Sequence, residues 1–332
     1  MQIKYIDGPR LHRAIQAGIN HVITRKDYLN KINVFPVPDG DTGTNMTFTL
    51  ATISEETKSN NNKRVSKVAD ASLNGARGNS GSILAQFFVG FADGIASFHR
   101  LTPGRFSQTI KTSKNYSYDT LSEPKEGTIL SVIADWAYAV KNIHETHNDF
   151  VMILDFAFEQ AQESLRKTQE KLAILKKSGV VDAGTQGFVD FLEGINHFIE
   201  KGEMDDVDTS TIAEPVDNFE MEIFDEFRYC TECLVAGNDI DRIKLKEQLM
   251  NLGANIVLAG SKKKAKIHIP ASVSGTMQSA TLAAGDTEDL PIDLIDSQNG
   301  SVGIGLIALQ AAEAVKAELP KEEILKTRQK NW

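Results

Sequence analysis

Apolar residues recur at helical spacing through most of the first two hundred positions. Leu11, Ala14, Ile15, Gly18, Ile19, Val22 and Ile23 mark an amphipathic helix that ends near Thr24. Thr44 to Ile53 contains no breaker and reads as a helix, as does Val65 to Ala71. The polar, unpatterned stretch from Glu55 to Arg64 between them reads as a solvated connection. Ile83, Phe87, Phe91, Ile95 and Phe98 stripe a helix over 82–98, and aromatic residues at that spacing are core. Further helices are expected over 102–113 and 115–121, from Thr128 through Trp136 and Val140, and through Phe150, Leu154, Phe158, Ala161 and Leu165. Another starts near Gln186. With no strand pair among them, these segments predict an antiparallel helical barrel whose connecting loops gather at one end.

Beyond residue 201 the pattern changes. Residues 202–222 are acidic and small around Pro215 and read as a linker. Strands over 227–235, 254–260 and 265–269, with a helix over 239–251, predict a small α/β domain at 223–270, followed by a final segment at 271–332. The expected fold class is a multi-domain α plus α/β chain.

Three breaker-rich stretches interrupt the helices, and they hold the candidate chemistry. Asn33-Val-Phe-Pro-Val-Pro-Asp39-Gly-Asp41-Thr-Gly-Thr44-Asn45 must turn, because Pro36 and Pro38 lack amide protons and Gly40 and Gly43 favour unusual backbone angles. Asp39 and Asp41 are the oxygen donors a hard cation such as Mg2+ takes. The helix behind them turns its free amides and positive dipole end toward the loop, an arrangement suited to Mg2+-bound phosphate. An Asx turn capping an ordinary helix is the alternative. Asn74-Gly-Ala-Arg77-Gly78-Asn79-Ser80-Gly81 repeats the device, a glycine loop feeding a helix start, with Arg77 either countering phosphate charge or fixing the loop. Glu126-Gly-Thr128 opens a third helix, and a capping role competes for Thr128. Neither a P-loop nor a Gly-x-Gly-x-x-Gly motif occurs.

Composition narrows the classes. The 332 residues are 41% hydrophobic and 24% charged, as in a globular protein, and allow two or three domains. A net charge of -9 argues against nucleic acid as a partner. No signal peptide and no apolar run of membrane-spanning length are apparent, so a cytoplasmic protein is expected. The two cysteines, Cys230 and Cys233, cannot frame a disulfide-based fold and read as buried reduced thiols. His144 and His147 lack a third ligand and read as surface residues.

Four stretches in order, the Asp39–Asp41 loop, Asn74 to Gly81, Glu123 to Leu130 and Gly179 to Gly187, resemble the kinase domain of bacterial fatty acid kinase. That domain is related to the ATP-binding subunit of dihydroxyacetone kinase. The resemblance implies an eight-helix barrel over 1–201 that binds ATP and two Mg2+ ions and phosphorylates a fatty acid carboxylate to an acyl phosphate. It implies metal ligation by Asp39 and Asp41, with Asn33 as a further ligand, and hydrogen bonds from Thr44, Asn45, Asn79 and Ser80. It sets the ATP phosphates against Gly78 to Gly81, with Arg77 at their charge, and Thr128, Asp182 and Gly184 at the nucleotide. Kinase action on a small hydroxylated ketone, and a nucleotide-binding regulator without turnover, are the alternatives.

Arg228 to Glu232 and Lys266 to His268 resemble the same family's middle domain, where a cysteine and two histidines can hold zinc. Pro270 stands at the second histidine position, which leaves Cys230, His268 and Cys233 short of four ligands, and a buried cysteine beside a histidine remains the competing reading. Ser272 onward resembles part of a DegV-type fatty-acid-binding domain whose later half is absent, as in a shortened kinase and lipid-binder fusion. The implied partners are a fatty acid and a DegV-like carrier supplied in trans, and a homodimer is compatible with the reading.

Overall fold

A computed structural model describes residues 2–36, 38–58, 65–96, 100–207, 229–250 and 256–271. The described residues up to 207 hold ten helices: α1 (Gly8–Thr24), α2 (Lys26–Lys31), α3 (Thr42–Lys58), α4 (Val65–Gly75), α5 (Gly78–Ile95), α6 (Pro103–Tyr118), α7 (Ile129–His144), α8 (Phe150–Lys171), α9 (Ala173–Ser178) and α10 (Ala183–Lys201). Strand β1 (Tyr229–Ala236), helix α11 (Arg242–Leu249) and strands β2 (Val257–Gly260) and β3 (Lys264–Ala271) follow. The strands form an antiparallel sheet in the order β1-β3-β2.

Local chemistry sets the helix ends. Asp7 caps α1 by accepting from Arg10 N, with Pro9 in the first turn, where a missing amide proton costs nothing. Asp149 caps α8 at Val151 N and also accepts from Ile3 N at 2.9 Å, tying the start of the chain to that helix. Gly179 and Gly202 end α9 and α10 in the left-handed conformation.

The eight longer helices pack as a closed series. α1 meets α3, each next helix packs on its successor through α8, α8 packs on α10, and α10 returns to α1. Within the series lies one apolar core. α5 is its centre, buried on nearly every side, and Phe87, Phe88, Phe106, Trp136, Phe150, Phe188 and Phe191 interlock there with ring centroids 5.4–6.4 Å apart, mostly edge to face. Such pairs add about 0.5–1.5 kcal/mol each beyond their area. The aromatic stripe is therefore core, as its spacing predicts. A cavity of about 50 Å³ lies beside it, lined by Phe87, Phe91, Phe106, Trp136 and Leu154 among others.

The chain divides into two compact units. The first holds Met1–Glu220 together with Cys233–Asn251 and Asn255–Ile267, so α11 and β2 belong with the helices. Within it, Ala259 of β2 packs with Leu73 and Val89 of α4 and α5. Leu258 N donates to Thr120 O at 2.9 Å, and the buried Gln86 side chain exchanges two hydrogen bonds with the Gly260 backbone, at 2.7 and 3.1 Å. Lys246 of α11 donates to the carbonyls of Asp119 and Leu121. The second unit holds Met221–Glu232, Leu252–Ala254 and His268–Trp332, of which only the strand ends lie in the described residues.

Several sequence expectations need correction. α3 runs on to Lys58, so Glu55 to Lys58 is helix rather than connection, and 102–121 holds one helix, α6, rather than two. α10 begins at Ala183 rather than near Gln186. Gly78 to Gly81 is the first turn of α5 and not a loop, since only Ala76 and Arg77 separate α4 from α5. Glycines suggest a loop locally, but burial of Gly81 against Thr49 and of the following helix favours helical continuity. Phe98 and the segment 272–332 lie outside the described residues, as do the side chains of Cys230, Cys233 and His268 on which the zinc reading rests. No helix of the described residues is long and apolar enough to cross a membrane.

The α1–α10 crossing is close enough to exclude a methyl group. A Cβ at Gly18 would stand 2.6 Å from Phe191 O, and one at Gly194 2.6 Å from Ala17 O. Gly18→Ala and Gly194→Ala are each expected to lower unfolding free energy by about 1–3 kcal/mol in urea titrations. The same helix pair carries an ionic tie. His21 Nδ1 lies 2.9 Å from Asp205 Oδ2 and Nε2 3.5 Å from Glu193 Oε2. The Glu193 hydrogen bond, aided by Asp205 and opposed by burial, raises the imidazole from 6.5 to about 9. A raised pKa stabilises the fold fully below pH 6.5 and loses its effect as pH climbs through about 9. The urea midpoint of the wild type is therefore expected to fall over that window relative to His21→Gln.

Candidate active site

Two asparagines at the end of α2 hold the acidic loop. Asn33 is buried, donates its amide to Asp39 Oδ1 and accepts the Thr42 hydroxyl on Oδ1 at 2.6 Å. Asn30 accepts from Thr44 N at 3.0 Å and donates to Thr44 Oγ1 at 2.9 Å. The loop is thus cross-braced at its base, and Asp39 and Asp41 at its tip are exposed. Phe35, beside a cis peptide bond to Pro36, lies under Lys125 Nζ, whose distance to the ring centroid is 5.7 Å.

The start of α3 meets the start of α5. Gly78 has φ of +56°, and a Cβ there would lie 2.6 Å from Asn45 Nδ2, so only glycine suits both the backbone and the contact. Arg77, the N-cap of α5, supplies no capping hydrogen bond. The amides of this turn, carried by Gly78, Asn79 and Ser80, are therefore not occupied by a cap from that residue. Arg77 places its guanidinium over the Phe48 ring, 5.0 Å from the centroid, and donates to Ala76 O at 3.0 Å. Of its two sequence roles, this geometry favours fixing the turn.

The start of α5 in turn meets the start of α10. A Cβ on Gly184 would lie 2.8 Å from Ser80 Oγ, so the two N-terminal turns are in van der Waals contact. Asp182 caps α10, and its buried carboxylate accepts from Thr185 N at 2.8 Å and Thr185 Oγ1 at 2.7 Å. The backbone amide of Ile129, the first residue of α7, faces it closely enough to favour its charged form. Burial pushes its pKa up, against the pull of these hydrogen bonds. Thr128 caps nothing with its side chain. Its hydroxyl donates to Lys125 O at 2.7 Å, while Ser131 Oγ accepts from Gly127 N and donates to Glu126 Oε2. The Ser131 hydrogen bond, then Lys171, holds Glu126 below the usual carboxylate range.

These meetings link the N-termini of α3, α5, α10 and α7 into one patch, with two exposed carboxylates ahead of the first. Four positive dipole ends make an environment for an anion carrying several negative charges. Among the described residues no group of three or more His, Cys, Asp or Glu could hold a metal ion. Asp39 and Asp41 nevertheless fit Mg2+, which takes one or two carboxylates and fills its other positions with water and phosphate oxygens. Asn33 is engaged with Asp39 and Thr42, so its present part is to organise the loop. Sequence reasoning overlooked Asn30, which stands in α2 ahead of the acidic loop, and Ser131, which lies just inside the α7 start.

Residues 36–197 match the DAK2 domain family, and residues 246–331 match the family described as uncharacterised protein, DegV family. The second match begins ahead of Ser272, where the motif resemblance begins. Protein YloV of Bacillus subtilis is 30% identical over 319 residues, covering 91% of this chain and 58% of its own length. The uncharacterized proteins SH1689 of Staphylococcus haemolyticus and SAUSA300_1119 of Staphylococcus aureus are each 29% identical, over 315 and 316 residues, covering 90% of this chain and 57% and 58% of their own lengths. The chain thus spans little more than half the length of these curated relatives. The helix-start patch lies inside the first match, and the chain is similar to DAK2 domains over 36–197, to the DegV family over 246–331 and to Protein YloV over most of its length.

Proposed function

We propose that this chain is an ATP- and Mg2+-dependent phosphotransferase acting on the carboxylate of a fatty acid presented by a DegV-like carrier in trans. The observation that carries the reading is the meeting of Asn45 with Gly78, Ser80 with Gly184, and Asp182 with the Ile129 amide, behind the exposed Asp39 and Asp41. The closed packing series of eight longer helices supports the eight-helix barrel of the resembled kinases. The DAK2 match over 36–197 supports a kinase-like activity, and the DegV-family match supports a lipid acceptor.

In this reading the amides of Gly78 to Ser80 bind phosphate oxygens, and Asn45 and Thr44 line the α3 side. Asp39 and Asp41 hold the metal, which neutralises charge on the phosphates when bound. A carboxylate oxygen of the fatty acid attacks the γ-phosphorus, the bond to the β–γ bridging oxygen breaks, and ADP and acyl phosphate leave. Such a loose transition state asks for positioning and charge stabilisation and needs no nucleophilic side chain. Asp182 acts by orientation, holding the α7 and α10 starts together.

Acyl phosphate formation is measured by mass spectrometry after incubation with ATP, Mg2+, fatty acid and a DegV-like carrier. Asp39→Asn and Asp41→Asn, which preserve shape, are each expected to lower it by about 10²–10³-fold with little change in melting temperature. Turnover retained in Asp41→Asn overturns the metal assignment. Phosphorylation of a small hydroxylated ketone instead would move the chain to the dihydroxyacetone kinase type, and Mg-ATP binding without any product would make it a nucleotide sensor.

A further inference from the structure

The turn between α4 and α5 receives a contact from far along the chain. Strand β3 directs Lys266 Nζ onto the carbonyl of Ala76, and Lys264 Nζ onto Asn74 Oδ1. Arg77 Nη1 donates to the same Ala76 carbonyl at 3.0 Å. That carbonyl lies two residues ahead of Gly78, where α5 opens without a side-chain cap. The strand is held there independently of the lysine. Gln86 of α5 pairs with the Gly260 backbone, Ala259 packs on Leu73 and Val89, and Ser261 N donates to Lys264 O at 2.7 Å to close the β2–β3 turn.

We infer that Lys266 is a positioning residue for the phosphate end of the nucleotide, supplied to the α5 cradle by the segment beyond the linker. Its hydrogen bond fixes the Ala76 peptide and so the direction of the Gly78 to Ser80 amides, and its ammonium adds positive charge beside an anion seated on them. The inference rests on the proposed nucleotide site. It goes beyond the motif residues because Lys266 stands 190 positions from Ala76 and belongs to no glycine-rich stretch. A lysine ammonium suits this place, since it carries its charge on a flexible stem and can bond a carbonyl while facing a nearby phosphate.

Calorimetric titration of the full chain with Mg-ATP and with adenosine, alongside thermal unfolding without ligand, tests the inference. Lys266→Gln keeps a donor for Ala76 and removes the charge, and Lys266→Met removes both. Lys266→Gln is expected to weaken Mg-ATP about five- to tenfold and adenosine less than twofold, with an unchanged melting temperature, and Lys266→Arg to recover most of the affinity. Lys266→Met is expected to weaken Mg-ATP further. Wild-type affinity for Mg-ATP in Lys266→Gln and Lys266→Met overturns the inference while leaving the nucleotide site standing. Equal losses for Mg-ATP and adenosine reduce Lys266 to a structural brace and also overturn it. A wild-type chain that binds no Mg-ATP removes the proposed function and the inference together.

Discussion

A carboxylate cannot be taken out of water without partners, and Asp182 is buried at the meeting of three helices. Its side chain accepts from Thr185 N and Oγ1, the nearby Ile129 amide also favours its charge, and its own amide donates to Thr168 Oγ1 of α8 at 3.2 Å. Burial alone would drive the group toward its neutral form, and the hydrogen bonds oppose that shift. Since those donors come from the starts of α10 and α7, satisfying one charge fixes two helix ends together. The contact of Gly184 with Ser80 then carries the constraint to α5, and that of Gly78 with Asn45 carries it to α3.

The helix starts in this patch are treated differently. α10 is capped from within by Asp182, whose carboxylate also feels the first amide of α7. Thr44 N at the start of α3 is taken by Asn30. α5 has no side-chain cap from Arg77. A helix start without a side-chain cap leaves donors whose desolvation a further acceptor can offset. Site and scaffold are therefore built from one device, the helix N-terminus, capped by its own side chain at α10 and not at α5.

Strand β2 belongs to this arrangement as well. Gln86, a buried amide in the middle of an apolar helix, has both its polar atoms bonded to Gly260, so β2 docks at one register on α5. The residue that looks misplaced in a hydrophobic helix is the one that specifies where the later segment attaches.

Amphipathic spacing made the helices legible, and breaker residues located the loops, because both signals are local. The Asp39–Asp41 loop and Gly78 to Gly81 stood out for the same reason. Helix ends were read less well. Glycine content suggested a loop at 78–81, whereas packing of Gly81 against Thr49 and of Gly184 against Ser80 requires glycine inside helical turns. The parts played by Asn30, Asp182 and Lys266 depend on partners up to 190 residues away, and no spacing in the sequence records them. Sequence alone determined which stretches are helical and which residues could bear charge and phosphate, since propensity and side-chain chemistry belong to each residue. Only the tertiary structure decided which helix starts meet and which of them the N-cap side chain closes, because desolvated polar groups must find partners wherever packing brings them.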